Sequence, residues 1–339
     1  MIAVALAACT DSSSAGDDRP ADFQTVPTSP PPRLAVDGVN VVDPSGTPIV
    51  LRGYNWGQWG TEQPEDGADN VAQGANSVRL PLRWWGDWKA GVDSRSPDAP
   101  GHIDPEHLKD LDEHIKLAAT KHLWVVLFLD SNFGQGAPGE TDNFWTDPAM
   151  KQEFTEVWQF LVARYKAAPY LAAYEILAEP KPPGVSDEGV KEFYDSIIPV
   201  IRAIDRRTPI VVGPNLDYNL HHLDAAYTTV DDNIIYTGNL LKYDPSKIPD
   251  ITAFTAAHHA PVWINQIGIE NANHQSLGQA DDLIGQLNAI HVGWAWWTYR
   301  EQRTNDAGYG IYYQNPADDT TWLVKQDWFD LMTRSFQAP

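Results

Sequence analysis

The chain is poor in cysteine and in basic residues. Of its 339 residues only Cys9 is a cysteine, so no disulfide can form within the chain. Lys and Arg number 24 against 46 Asp and Glu, which gives a formal net charge of −22. Such a charge repels the phosphates of nucleic acid and argues against that partner. It suits a soluble protein with a neutral partner, and it equally suits an acidic, well-solvated surface.

Long apolar runs are also missing, and the chain begins with a short one. Residues 6–9, Leu-Ala-Ala-Cys, resemble the lipobox of a bacterial lipoprotein signal, in which the cysteine receives lipid. No Lys or Arg precedes Cys9, so an ordinary apolar N-terminus is the alternative. We predict a signal remnant over 1–9, a disordered Ser/Pro/Asp-rich tether over 10–33 and a folded domain over 34–339. The predicted location is extracellular or at the cell surface, with membrane contact through the lipid anchor alone.

Short apolar segments alternate with helical patterns from residue 34 onward. The eight predicted strands are 49–54, 77–80, 123–129, 171–177, 210–212, 234–237, 262–266 and 292–297. The clearest predicted helices are 105–121, 148–166, 187–205 and 277–289, and a small hairpin precedes them within 34–46. Asp104 is the predicted N-cap of the first helix. Eight strand–helix units predict an α/β fold, a (β/α)₈ TIM barrel with a short N-terminal hairpin. A doubly wound sheet needs a glycine-rich nucleotide loop that residues 53–57 do not supply.

Aromatic residues are abundant, with 14 Trp, 13 Tyr and 10 Phe. Their flat apolar faces fill protein cores, and they also suit the C–H faces of sugar rings. Trp56 and Trp85 follow the first two barrel strands, and we predict them as sugar platforms at the rim. Core packing is the competing interpretation for both.

Five segments in sequence order resemble glycoside hydrolase family 5, the cellulase-type barrels. They are 51–55 (Leu-Arg-Gly-Tyr-Asn), 75–81 (Ala-Asn-Ser-Val-Arg-Leu-Pro), 176–180 (Ile-Leu-Ala-Glu-Pro), 261–268 (Pro-Val-Trp-Ile-Asn-Gln-Ile-Gly) and 293–299 (Gly-Trp-Ala-Trp-Trp-Thr-Tyr). The resemblance runs from Leu34 to about Phe336. It implies a retaining β-glycosidase barrel whose partner is a β-linked oligo- or polysaccharide. Nothing in the sequence indicates a cofactor or a metal, and a monomer is the default.

The resemblance also assigns roles to single residues. Glu179, directly after an apolar strand, stands at the position of the acid/base, and residue 266 stands at that of the nucleophile. Arg79 stands where the family's arginine braces the pocket, although an ion pair that closes the barrel is an equal interpretation. Trp297 stands where a tryptophan floors the sugar site, and core packing again competes.

Several positions depart from the family pattern. A retaining glycosidase needs two carboxylates about 5 Å apart, one as acid and one as nucleophile. Here Gln266 occupies the nucleophile position, and an amide cannot act as an anionic nucleophile. Ala178 replaces the asparagine that bonds the sugar 2-hydroxyl. Asp130, Asn239 and Leu241 replace His, His and Tyr on the third and sixth strands. We therefore expect the retaining mechanism to be impaired.

Two functions stay open at this stage. Asp130 or Glu270 could replace the missing carboxylate in a hydrolase or transglycosylase, with inversion if the pair leaves room for water. Alternatively, the protein is a glycan-binding surface lipoprotein without catalysis. Because Gln266 removes a negative neighbour and Arg79 is expected nearby, we expect Glu179 to ionise more readily than a working acid.

Overall fold

The computed structural model describes residues 32–56, 64–84, 94–96, 98–130, 144–182, 184–269, 275–301, 308–318 and 320–338. Eight parallel strands close into a barrel in the order β10-β3-β4-β5-β6-β7-β8-β9. They are β3 (Arg52–Asn55), β4 (Ser77–Arg83), β5 (Trp124–Asp130), β6 (Leu171–Glu175), β7 (Ile210–Val212), β8 (Ile234–Leu240), β9 (Val262–Ile267) and β10 (Gly293–Trp296). The predicted (β/α)₈ barrel is confirmed.

Helices connect the strands and cover the outside of the barrel. They are α1 (Pro64–Gln73), α2 (Pro105–Thr120), α3 (Pro148–Tyr165), α4 (Asp187–Arg202), α5 (Ile248–His258), α6 (Gln275–Ala289) and α7 (Gln326–Phe336). Asp104 caps α2 as predicted, because its carboxylate accepts hydrogen bonds from the backbone N–H groups of Glu106 and His107. Two helices were not predicted: α1, which carries Gly67 and few apolar residues, and α5, which is rich in Ile and Thr. Among the helices of the described segments, none combines the length and apolar character that crossing a bilayer requires.

A hairpin of β1 (Ala35–Asp37) and β2 (Asn40–Val42) closes the N-terminal end of the barrel. Leu34 and Val41 pack there against Trp124 and Trp263. The guanidinium of Arg33 donates to the carbonyls of Lys166 at 2.5 Å and Ala168 at 2.6 Å. Residue 33, which we predicted within the tether, is therefore held by the barrel. Cys9, the predicted signal remnant and the tether up to residue 31 lie outside the described residues.

A small sheet that was not predicted lies between β10 and α7. It contains β11 (Arg300–Glu301), β12 (Tyr312–Gln314) and β13 (Trp322–Val324), with β12 and β13 antiparallel. The buried Arg300 guanidinium lies 5.1 Å from the centre of the Trp322 ring. This cation–aromatic contact fixes the sheet beside the last barrel strand.

Two strand boundaries matter for the site at the C-terminal end of the barrel. β8 continues three residues beyond its predicted end at 237, and Asn239 becomes the register partner of Gln266 on β9. β6 ends at Glu175, two residues before its predicted end. Glu179 therefore stands on a loop, with a positive φ of 46°.

Close packing of β3 on β4 predicts a strict requirement for glycine at position 53. A Cβ added at Gly53 would lie 1.7 Å from the carbonyl oxygen of Ser77. The two residues are register partners on neighbouring strands, so the backbone cannot move apart enough to relieve this clash. We expect Gly53→Ala to lower the free energy of unfolding by about 3 kcal/mol. Gly278→Ala in α6 is the matched control: an added Cβ meets nothing within 4 Å, and we expect a gain of about 0.5–1 kcal/mol. Urea denaturation measures both, and equal effects of the two would contradict the expectation.

Candidate active site

A buried ion pair forms the base of the site. Arg79 of β4 and Glu175 of β6 are both fully buried and make a bidentate contact, Nε–Oε2 at 2.6 Å and Nη2–Oε1 at 2.7 Å. Glu175 also accepts from Asn265 Nδ2 at 2.8 Å and from the Tyr218 hydroxyl at 3.2 Å. Burial by itself lowers the pKa of Arg79, but the Glu175 carboxylate outweighs it, and the pKa rises above its usual range.

The role of Glu175 was missed from the sequence, although it stands four residues before Glu179. The signal was a charged residue inside the apolar run 171–177, since a buried carboxylate requires a partner. Its partner Arg79 lies 96 positions away. The ion-pair interpretation of Arg79 is therefore the one that its contacts match.

Gln266 bridges the ion pair and the acid/base position. With its amide oriented to satisfy both neighbours, its oxygen accepts from Arg79 Nη1 at 3.1 Å and its nitrogen donates to Glu179 Oε1 at 2.5 Å. Gln266 is buried, with 5% of its surface exposed. Asn239, its neighbour on β8, also donates through Nδ2 to Glu179 Oε1. Both amides therefore converge on one oxygen of Glu179.

The carboxyl of Glu179 holds its proton to a higher pH than an ordinary glutamic acid. Burial raises the pKa of Glu179 to about 7, with further contributions from the negative charges of Asp130 and Asp217. Arg79 and the hydrogen bond from Asn239 act in the opposite direction and are outweighed. Our expectation of a readily ionised Glu179 is wrong: desolvation dominates, and two carboxylates other than residue 266 supply negative charge.

These two carboxylates flank Glu179 from neighbouring strands. Asp130 ends β5, and Asp217 follows β7, so both lie next to the β6 loop that carries Glu179. In the barrel order, β10 rather than β5 or β7 stands opposite β6. Asp130, predicted as a replacement carboxylate, thus lies on the same side as Glu179. Glu270, the other predicted replacement, lies outside the described residues, and Asp217 was not singled out from the sequence.

The predicted sugar platforms have different outcomes. Trp56 is fully buried and donates through Nε1 to Asn70 Oδ1 of α1 at 3.1 Å. It is a core residue, and its prediction as a rim platform is wrong. Trp297 is half-buried just beyond β10, where its peptide bond to Thr298 is cis. Trp85 lies outside the described residues.

Ala178 contributes no hydrogen-bonding side chain to the site. Ala178 is buried beside Glu179, and its methyl group can neither donate nor accept a hydrogen bond.

Among the described residues, no three His, Cys, Asp or Glu side chains are grouped as for a metal ion. His221, His222 and His258 each contact an aspartate, at 2.6, 2.7 and 2.5 Å respectively.

The raised pKa of Glu179 predicts a pH-dependent cost to stability. A carboxyl with a folded-state pKa near 7 and an ordinary value of 4.5 stabilises the fold below pH 4.5, and this contribution is lost as the pH rises to 7. For this half-buried group the loss is about 2–3 kcal/mol. We therefore expect the free energy of unfolding of Glu179→Gln, relative to that of the parent, to rise by this amount between pH 4.5 and 8. A constant difference across this range, measured by chemical denaturation, would contradict the raised pKa.

Comparison with known proteins places this site in a family. A family model described as Cellulase (glycosyl hydrolase family 5) matches residues 42–303. The probable glucan 1,3-beta-glucosidase A of Aspergillus fumigatus is 31% identical over 168 residues, which cover 46% of this chain and 37% of that protein. Endoglucanase CelA of Streptomyces lividans is 28% identical over 145 residues, covering 40% and 31%. The matches thus span well under half the length of these curated relatives.

Solved structures share the fold at low sequence identity. Cel5A of Thermotoga maritima, solved as a mutant with cellobiose, superposes with a TM-score of 0.66 at 20% identity, covering 84% of this chain and 96% of that one. An endogalactoceramidase superposes with a TM-score of 0.71 at 17% identity, covering 89% and 84%. Because the family model spans well over half of the sequence, this chain belongs to glycosyl hydrolase family 5.

Proposed function

We propose that this protein recognises a β-linked glycan in its cleft and that the retaining double displacement does not operate there. The observation that carries the proposal is the hydrogen bond of 2.5 Å from the Gln266 amide to Glu179. In a retaining enzyme this position holds an anionic carboxylate about 5 Å from the acid, with the anomeric carbon between them. Here the group is neutral, and it touches the acid directly. A neutral amide cannot attack the anomeric carbon, so the first displacement has no nucleophile.

A second candidate is hydrolysis by single displacement with inversion. Gln266 and Asn239 both donate to Oε1 of Glu179 and thereby hold this carboxyl in one orientation. A pKa of about 7 keeps this carboxyl about half protonated at neutral pH, as a general acid requires. Inversion also needs a base on the opposite face of the sugar. Asp130 lies on the same side as Glu179, so its position favours an effect on that acid over activation of water.

The names of the relatives guide the choice of glycan. The curated matches include a probable glucan 1,3-beta-glucosidase, endoglucanases and a beta-xylosidase. Structures of Thermotoga maritima Cel5A are titled as complexes with cellobiose and with mannotriose. A β-1,3-glucan is therefore the first ligand to test, followed by cello-, manno- and xylo-oligosaccharides.

The decisive experiment compares the parent with Gln266→Glu, Gln266→Asn and Glu179→Gln. We expect the parent to bind at least one of these glycans in calorimetry and to release no product of retained anomeric configuration by NMR. Gln266→Glu supplies a carboxylate 3.1 Å from Arg79 and should gain measurable retaining hydrolysis. The shorter amide of Gln266→Asn is the matched control and should not.

Each result of this panel has a distinct meaning. A product of retained configuration from the parent that disappears in Glu179→Gln would contradict loss of the retaining mechanism. A product of inverted configuration that needs Glu179 would establish the second candidate. Failure of the parent to bind any glycan would contradict recognition itself.

We further propose that the protein is located outside the cytoplasm and is anchored to the membrane by a lipid attached to Cys9. Arg33 is held at the N-terminal end of the barrel, and Glu179 lies at the C-terminal end. An anchor that precedes residue 33 would therefore join the barrel at the end opposite the cleft. In a bacterial host fed labelled palmitate, we expect label in the parent and none in Cys9→Ser. An unlabelled parent would contradict the anchor.

A further inference from the structure

The mouth of the barrel carries a costly turn beside Glu179. Leu216, Asp217 and Tyr218 follow β7 in three successive left-handed conformations, with φ of 60°, 59° and 57°. Residues other than glycine disfavour the left-handed region, because there the Cβ atom comes too close to the carbonyl oxygen that follows it. We name residues 216–218 the left-handed turn. Three such residues in a row persist only where their surroundings hold them.

The Tyr218 side chain ties the turn to the base of the site. Its ring is fully buried, and its hydroxyl donates to the Leu177 carbonyl and lies 3.2 Å from Glu175 Oε1. A Cβ at Gly213 would meet this ring at 2.4 Å, so the glycine makes room for it. The turn is thus fixed by the same carboxylate that holds Arg79.

The backbone of Asp217 ties the turn to the acid/base loop. Its N–H donates to the Pro180 carbonyl at 3.2 Å, and its own carbonyl accepts from Asn239 Nδ2 at 3.2 Å. The same Asn239 nitrogen donates to Glu179 Oε1. Asp217 is therefore linked to Glu179 by two hydrogen bonds through the side chain of Asn239.

The turn presents two partly exposed side chains at the mouth of the barrel. Leu216 is 42% exposed, so its strained conformation places an apolar side chain in solvent. The Asp217 carboxylate contacts Lys181 Nζ at 2.5 Å, with 43% and 54% of the two side chains exposed. An exposed ion pair contributes little to stability. The ion pair is therefore a weak reason for the strained backbone, and both side chains are accessible to a ligand.

We propose that the left-handed turn is a sugar-contacting element of the cleft. Leu216 packs against the apolar C–H face of the sugar unit beside Glu179, and the Asp217 carboxylate, oriented by Lys181, accepts hydrogen bonds from its hydroxyls. A neutral pyranose offers both kinds of surface, and sites for such ligands combine apolar walls with a few placed polar groups. The inference rests on the proposed glycan recognition and adds the residues that determine specificity.

The test uses Leu216→Gly and Asp217→Asn, with Leu323→Gly as the matched control. Leu323 is also an exposed leucine, at 37%, but it stands on β13 without a positive φ. Calorimetry with a β-1,3-linked glucose oligosaccharide, and with cello-, manno- and xylo-oligosaccharides, should give about 10-fold weaker binding for each turn variant. The control should bind like the parent. Leu216→Gly should also melt about 1–2 °C higher, because glycine relieves the strain.

The outcomes separate this inference from the proposed function. If the parent binds a glycan and both turn variants bind it equally well, the turn is not a sugar contact and glycan recognition stands. If Leu216→Gly melts lower than the parent, the strain argument is wrong. If the parent binds none of the four glycans, recognition and the turn's role in it both fail.

Discussion

The buried ion pair of Arg79 and Glu175 is the interaction on which the site depends. Two charges inside the barrel are tolerated because their hydrogen-bonding groups are satisfied by Asn55, Asn265 and Tyr218. Removal of one partner would leave an uncompensated buried charge, at a cost of about 3–5 kcal/mol. The pair also fixes its neighbours, since Arg79 orients the amide of residue 266 and Glu175 receives the hydroxyl that anchors the left-handed turn.

This pair explains how a neutral residue is accepted at the nucleophile position. Arg79 has its countercharge in Glu175, so residue 266 need not be anionic to balance it. The amide of Gln266 then does what a carboxylate could not: it accepts from Arg79 and donates to Glu179 at once. Burial and two flanking aspartates raise the pKa of Glu179 to about 7. Of the two positions that hold catalytic carboxylates in the family pattern, position 179 thus carries a carboxylate and position 266 an amide.

The barrel could be predicted from the sequence because local patterns determine it. Apolar runs, the Asp104 cap and the order of the motifs all depend on neighbours in the chain. The burial of Trp56 could not be predicted, because its indole bonds to Asn70 of α1, a helix with a weak sequence signal. The pKa of Glu179 could not be deduced either. This pKa depends on burial and on the charge of Asp217. The position of Asp217 depends in turn on three left-handed residues and on the hydrogen bond of Tyr218 to Glu175.

Two costs to stability coincide at the mouth of the barrel. Glu179 is desolvated, and the left-handed turn beside it holds an exposed leucine in a disfavoured conformation. Single substitutions could relieve either cost: glutamine at position 179 removes the titrating group, and glycine at 216 accepts the positive φ. Near neutral pH both changes are expected to raise the free energy of unfolding of the barrel. The proposed recognition of a glycan gives both costs a purpose, because Glu179 and the turn would face one sugar from adjacent strands.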